Sequence, residues 1–356
     1  MPTTYAIPDG RVAMAATLYT GTGANRSVSN AVNGVGFQPD WVWMKARSAA
    51  NSHYLANSVM GVGFGLLSDA TNAQVTVAAG KDLTSFDAAG FSLGPEQSFG
   101  SSNTNGTSIV AWQWKAGGTA VSNTAGSITS SVSANTTAGF SVVTYTGTGA
   151  NATVGHGLGV APKMIILWPR NNAGYVQPVW HTSLGGSTDS DYLAISSAGA
   201  RNYAGSLTGL WNNTAPTSSV FSIGTSVYSN TSAINYVAYC FAPVAGYSAM
   251  GGYVGNGSTD GPFLYLGFRA RFVLFKITSG AGDWYIYDTS RDTYNVSNTI
   301  LYPNGSYAEN QNAVFNIDML SNGIKIRNTS GANNTSGATY IYYAVAENPF
   351  AYSNAR

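Results

Sequence analysis

The residues able to do chemistry are few, and their spacing suits catalysis badly. The chain holds three histidines, His53, His156 and His181, and one cysteine, Cys240. Acid–base work needs a histidine or carboxylate with a partner at fixed spacing. His53 and His181 fall in loosely similar segments beside Tyr54 and Trp180, with no carboxylate alongside, and His156 lies in Gly155-His-Gly157. All three read as ordinary strand or loop histidines. The carboxylate pairs that could serve glycoside hydrolysis are Asp189/Asp191 and Asp283/Asp288. The first pair sits in a Gly/Ser/Thr turn and the second opens a strand, which are structural placements. No Ser falls in a strand–elbow–helix G-x-S-x-G setting. No EF-hand spacing occurs, and the glycines after Tyr19 and Tyr145 open no helix and so cradle no phosphate. A single cysteine allows neither an intrachain disulfide nor a cysteine zinc cluster. The expectation is a protein with no catalytic residue, no cofactor and no metal.

Aromatics are the other candidates. Trp211 stands alone in Leu210-Trp-Asn-Asn213, and Tyr294, Tyr302 and Tyr307 lie in similarly polar stretches. Such rings either stack on sugars or pack between units or subunits.

What positions these residues is set by an unusual composition. Of 356 residues only 9% are charged, 44% are hydrophobic, 12% aromatic and 42 are glycine. Gly and Asn accept tight turns while Val, Tyr and Trp favour a pleated, half-buried surface, so short strands are expected and long amphipathic helices are not. A net charge of +1 offers no basic stripe for nucleic acid. It also gives little colloidal repulsion, which points to self-association or cover within an assembly. No 18-residue apolar run predicts a membrane span, and the first residues lack the pattern of a signal peptide.

Self-similarity is the strongest signal. Tyr19-Thr-Gly-Thr-Gly-Ala24 recurs as Tyr145-Thr-Gly-Thr-Gly-Ala150 and as Tyr253-Val-Gly-Asn-Gly-Ser258. Behind each copy runs an apolar block: Trp41-Val-Trp-Met-Lys45, Met164-Ile-Ile-Leu-Trp168 and Phe272-Val-Leu-Phe-Lys276. A looser third block (Ser52 to Leu55, Pro178 to His181, Asp283 to Ile286) follows. A fourth is Phe91-Ser-Leu, Phe221-Ser-Ile and Ile324-Lys-Ile, and each unit closes on an apolar strand at Ile109, Tyr236 or Ile341. Alternating and β-branched residues mark every block as a strand. The expectation is an all-β chain of three tandem β-sandwich, jelly-roll-like domains over 1–118, 119–247 and 248–356. Residues 119–138, polar and nearly charge-free, read as a linker, so that units two and three form a rigid pair and a divergent unit one, suited to attachment, stands apart.

Further residues carry a resemblance. Tyr236-Val-Ala-Tyr-Cys-Phe-Ala242, Gly252-Tyr-Val-Gly-Asn-Gly-Ser258, Asp260-Gly-Pro-Phe263, Gly267-Phe-Arg-Ala-Arg-Phe272, Tyr285-Ile-Tyr-Asp-Thr289 and Ala346-Glu-Asn-Pro-Phe350 together resemble a β-domain family of tailed bacteriophages, common in marine phages and cyanophages as tail-fibre-like virion proteins. Unit one matches more weakly, with Met14 to Tyr19 in place of the leading Gly-Phe-Ser-Val strand. The resemblance implies a non-enzymatic structural protein of the virion, assembled in the host cytoplasm: a tail-fibre or tail-tip subunit contacting the host surface. A capsid decoration or head-fibre protein, or a polysaccharide-binding or -degrading adhesin, is the alternative. Implied partners are copies of the chain (a trimer), other virion proteins and host polysaccharide, with no nucleic acid and no membrane insertion. No site residues carry over.

Overall fold

The computed structural model describes residues 6–97, 99–184, 191–202 and 209–347. Among them there is no α-helix, and strands fall on all four repeated blocks. The chain is all-β, built as antiparallel sheets in sandwich layers.

One strand order occurs three times. In unit one Met14–Thr20 lies beside the closing strand Ser108–Trp114, then Trp41–Ala46, then Tyr54–Asn57. Unit two repeats this with Phe140–Thr146, Asn235–Phe241, Met164–Pro169 and Pro178–His181. Unit three does so with Ser248–Val254, Thr339–Ala346, Ala270–Ile277 and Trp284–Asp288. Each closing strand is central and buried on both faces, which explains its continuous apolar run. The divergent Met14–Thr20 takes the place of the leading strand found in the other units, because pairing with Ser108–Trp114 uses backbone groups and asks only for alternating burial.

Residues 119–138 are not a linker. Val121–Asn123 and Ser130–Asn135 pair in order onto Phe140–Thr146 and widen the unit-two sheet to seven strands. Ser and Thr can hold an exposed sheet face while Ile128 and Val132 fill the buried one. The polar composition that suggested a linker is that of a half-solvated sheet edge.

In units one and two the two faces of the large sheet go to different cores, whereas in unit three Val273 and Phe275 on one face and Phe272 and Leu274 on the other belong to a single cluster. In unit one Val42, Met44, Ile109 and Ala111 face the unit's own small sheet, meeting Val28, Phe91 and Leu93. In unit two Ile165, Leu167, Ala238 and Cys240 do the same against Phe221 and Ile223. The alternate residues all enter one cluster shared by the three units. Its centre is a void of about 10 Å³ lined by Trp41, Trp43 and Trp114, by Met164, Ile166 and Phe241, and by Phe272, Leu274 and Tyr343. That is close to the least space one water needs, and the lining is apolar, so the axis is a packed core. Trp41 stacks on Tyr239 at 4.3 Å and Phe241 meets Tyr343 at 4.9 Å. Unit one is not set apart from the other two: it supplies the largest rings to the shared axis.

The Tyr-x-Gly-x-Gly motif proves to be a clasp. Its Tyr hydroxyl donates to a loop carbonyl, Tyr19 to Ser102, Tyr145 to Ser229 and Tyr253 to Asn333, at 2.7–2.8 Å. The next residue in each loop is a buried Asn whose Oδ1 accepts the N–H of Thr22, Thr148 or Asn256. A Cβ on the first glycine would lie 2.1 Å from Thr104 O, and the second has φ +69°, so both positions require glycine.

Candidate functional site

The residues nominated by the sequence are scattered, and most are spent on structure. His53 accepts the indole N–H of Trp43 at Nδ1 (2.8 Å), so Nε2 carries the proton and donates to Tyr302 O at 2.8 Å. His156 accepts Leu158 N–H and donates to Thr217 O, and His181 accepts Ser183 N–H and donates to Tyr342 O. All three are therefore neutral Nε2–H tautomers. Burial holds each below the usual histidine range, His181 at about 4. His53 and His181 are not equivalent positions: strand register aligns His53 with Gln177 and Trp284, and His181 with Asn57 and Asp288. The buried Cys240 thiol is pushed up to about 12, which makes it a poor nucleophile.

Trp211 is 2% exposed inside the unit-two core and cannot offer a ring face to a sugar. Asp189 lies outside the described residues. Asp191 is buried and faces Arg201 at 3.6 Å. Asp283 and Asp288 separate: Asp283 lies at the surface, whereas Asp288 is buried on Arg291 at 2.6 Å. Tyr294 is exposed.

A carboxylate pair absent from the sequence reading is Asp82 and Glu96, which share the Ser102 hydroxyl at 2.6 and 2.8 Å. Burial raises Asp82 to about 6, helped by the Glu96 charge. Burial would raise Glu96 too, but the N–H groups of Asn103, Phe99 and Gly100 outweigh it and hold that carboxyl low. Split acidities mark acid–base pairs in enzymes. Here Glu96 also takes the Ser102 N–H and so anchors the loop carrying the clasp residue Asn103.

The polar residues that do assemble form three equivalent seams. After Tyr54–Asn57, Pro178–His181 or Trp284–Asp288, each unit sends an arm onto the end of its neighbour's Met164–Pro169, Ala270–Ile277 or Trp41–Ala46 strand. Backbone clips repeat in cyclic order: Gln74 N–H to Arg170 O, Arg201 N–H to Thr278 O and Glu309 N–H to Arg47 O. Side chains repeat it in the opposite sense, with Lys45 Nζ on Ser306 O, Trp168 Nε1 on Leu67 O and Lys276 Nζ on Ala198 O. His53, Gln177 and Trp284 add bonds to Tyr302 O, Ala70 O and Ala194 O at 2.8–2.9 Å. Burial lowers Lys45 and Lys276 to about 8. Unit one thus touches units two and three, and these touch each other: the chain closes a ring.

The seam between units three and one also carries charge. Arg47 grips Glu309 with two bonds of 2.8 Å, and Glu309 meets Arg291 at 3.3 Å. Arg291 binds Asp288, both side chains 0% exposed, and Asp288 accepts Trp112 Nε1–H at 3.0 Å.

Outside this seam lies a cleft of about 450 Å³ lined by Asp283, Tyr302, Tyr307, Ala308, Glu309 and Asn310. It unites three nominated residues: Tyr302, Tyr307 and Asp283. The Tyr302 ring is mostly buried and stands nearly perpendicular to Tyr307 with centroids 5.5 Å apart, while Tyr307 is 61% exposed. Asn310 Nδ2 donates to Tyr302 Oη, and Asn304 Nδ2 donates to Asp283 at 2.7 Å.

The arms and the ionic chain left little trace in the sequence, since Arg47 and Glu309 lie far apart along it. The clasp asparagines did leave one. Asn103-Thr, Asn230-Thr and Asn334-Thr each stand six residues before the residue that pairs with the motif tyrosine.

No curated protein and no solved structure matches this chain. One family model spans all three units, over residues 12–349. The chain belongs to that family, DUF7483, a domain of unknown function.

Proposed function

We propose that this chain is a non-enzymatic structural component of a tailed-bacteriophage particle, a tail-fibre, tail-tip or similar appendage subunit that meets the host surface. The observation that carries the reading is the closed ring: three β-units share one filled axis, and their buried polar groups are used to lock the seams. Such a body is rigid, and its lightly charged outer surface suits packing in an assembly. The phage-like motifs, from Tyr236 to Ala242 and Gly252 to Ser258, support the same reading.

The test is to purify virions, quantify the chain by mass spectrometry and place it with gold-labelled antibody. A fixed copy number per particle with label on the tail is expected. Label on the head would replace the tail reading with a capsid decoration or head-fibre protein. Presence in lysate alone, never in virions, would overturn both.

A further inference from the structure

We propose that the cleft on residues 302–310 is a binding site for a neutral sugar, a hexopyranose unit of a surface polysaccharide. The proposal deepens the reading of the protein as a host-contacting component and rests on it only for the source of the sugar.

Three features of the cleft carry the argument. The first is a presented ring. Tyr307 packs nearly perpendicular to Tyr302, and Gly305 lies so close that a Cβ there would come within 2.8 Å of the Tyr307 ring. The ring is nevertheless 61% exposed. An aromatic ring fixed by a neighbouring ring and open to solvent is suited to cover the C–H face of a pyranose.

The second is the polar lining. Asp283, Glu309 and Asn310 stand around the ring. Carboxylates accept from vicinal hydroxyls and an amide both donates and accepts. Asp283 is oriented by Asn304, which also accepts Trp284 N–H at 2.8 Å. Among the described residues no cation lines the cleft: Arg47 and Arg291 are engaged by Glu309. That balance disfavours phosphates, sulfates and uronic acids and leaves neutral sugars.

The third is preorganisation. The loop is tied to unit one by Lys45 on Ser306 O, His53 on Tyr302 O and Ser68 on Pro303 O, and by Arg47 on Glu309. A loop already fixed loses little freedom on binding. The volume also falls within the range of small-ligand sites.

The test uses the purified full chain with dextran, mannan and galactan oligomers, and polygalacturonate as the acidic probe. Saturation-transfer NMR and calorimetry should show binding to at least one neutral oligomer. Tyr307→Ala should weaken it about tenfold or more, and Tyr307→Phe should keep it within about threefold. Tyr294→Ala, which removes another exposed ring, should leave affinity unchanged. Thermal unfolding of Tyr307→Ala should match the parent, which separates lost binding from lost folding. Failure to bind all three neutral oligomers, preference for polygalacturonate, or unchanged affinity in Tyr307→Ala would overturn the proposal. None of these outcomes bears on whether the chain is found in virions, so the two readings fail separately.

Discussion

The seam between units one and two and the seam between units three and one occupy equivalent places, yet they are built from different chemistry. At the first, Asn57 donates to the Tyr239 hydroxyl at 2.9 Å. At the second, the equivalent residue is Asp288, which accepts from Trp112 and anchors the chain of Arg291, Glu309 and Arg47. The chain passes directly from unit one to unit two and from unit two to unit three. No such short connection joins three to one. Buried ion pairs gain little net stability, since desolvation offsets attraction, but misalignment strands an unpaired charge. They are a weak glue and a strict register. The lesson is that, among the described residues, the ion pair between units stands where the backbone gives no guidance for docking.

Substitutions test this contrast. Trp41 lies on the axis and touches Trp114, Phe140, Tyr239 and Phe241. Trp41→Ala should cost the most, at the upper end of about 3–5 kcal/mol in urea unfolding. A cost below about 1 kcal/mol would mean the units fold without their shared core. Next comes the seam comparison itself. Asp288→Ala takes from Arg291 its fully buried partner, leaving it only Glu309 at 3.3 Å, and should cost about 3–5 kcal/mol, whereas Asn57→Ala leaves only neutral groups short of a partner and should cost about 1–3 kcal/mol. Equal costs would erase the distinction drawn between the seams.

An effect confined to acid pH lies at the seam between units two and three, where His181 stands at the Asn57 position. Its folded acidity is depressed to about 4 against 6.5 in the unfolded chain. The stability it contributes is therefore full above pH 6.5 and is lost as pH falls toward 4, by about 2 kcal/mol at pH 5. His181→Asn installs the non-titrating residue of the other seam and should flatten that slope. Asp82, raised to about 6, acts in the opposite direction but equally in both proteins, so the difference isolates His181. Parallel pH profiles would refute this account of the seam.

The repeated strands were legible because periodic burial writes itself into local sequence. Trp41 and Trp43 share a face with Leu55 across the strand pair, as Met164 and Ile166 do with Val179. What lay beyond reach was anything that depends on which unit meets which. The arm residues Leu67, Ala198 and Ser306 contribute backbone carbonyls, and a carbonyl leaves no signature in residue type. The ionic chain joins residues from two units with no common spacing. Residues 119–138 misled for a related reason, because Ser and Thr are as compatible with an exposed sheet face as with a linker. At the cleft, Tyr302, Tyr307 and Asp283 could be named one by one, but their convergence depends on a loop pinned by Lys45 and Arg47 of another unit.

The joining of three units in one chain has a consequence for variation. In a ring of three identical chains every substitution arrives three times, so a wider residue at the axis would crowd itself from three sides at once. Here it arrives once. A tryptophan from one unit can face methionine from the second and phenylalanine from the third, as Trp41, Met164 and Phe272 do around the central void. The same arithmetic would limit the valency of the proposed site, because Tyr307 belongs to one unit of the ring. Multivalent grip on a polysaccharide would then have to come from the number of whole chains displayed on one particle.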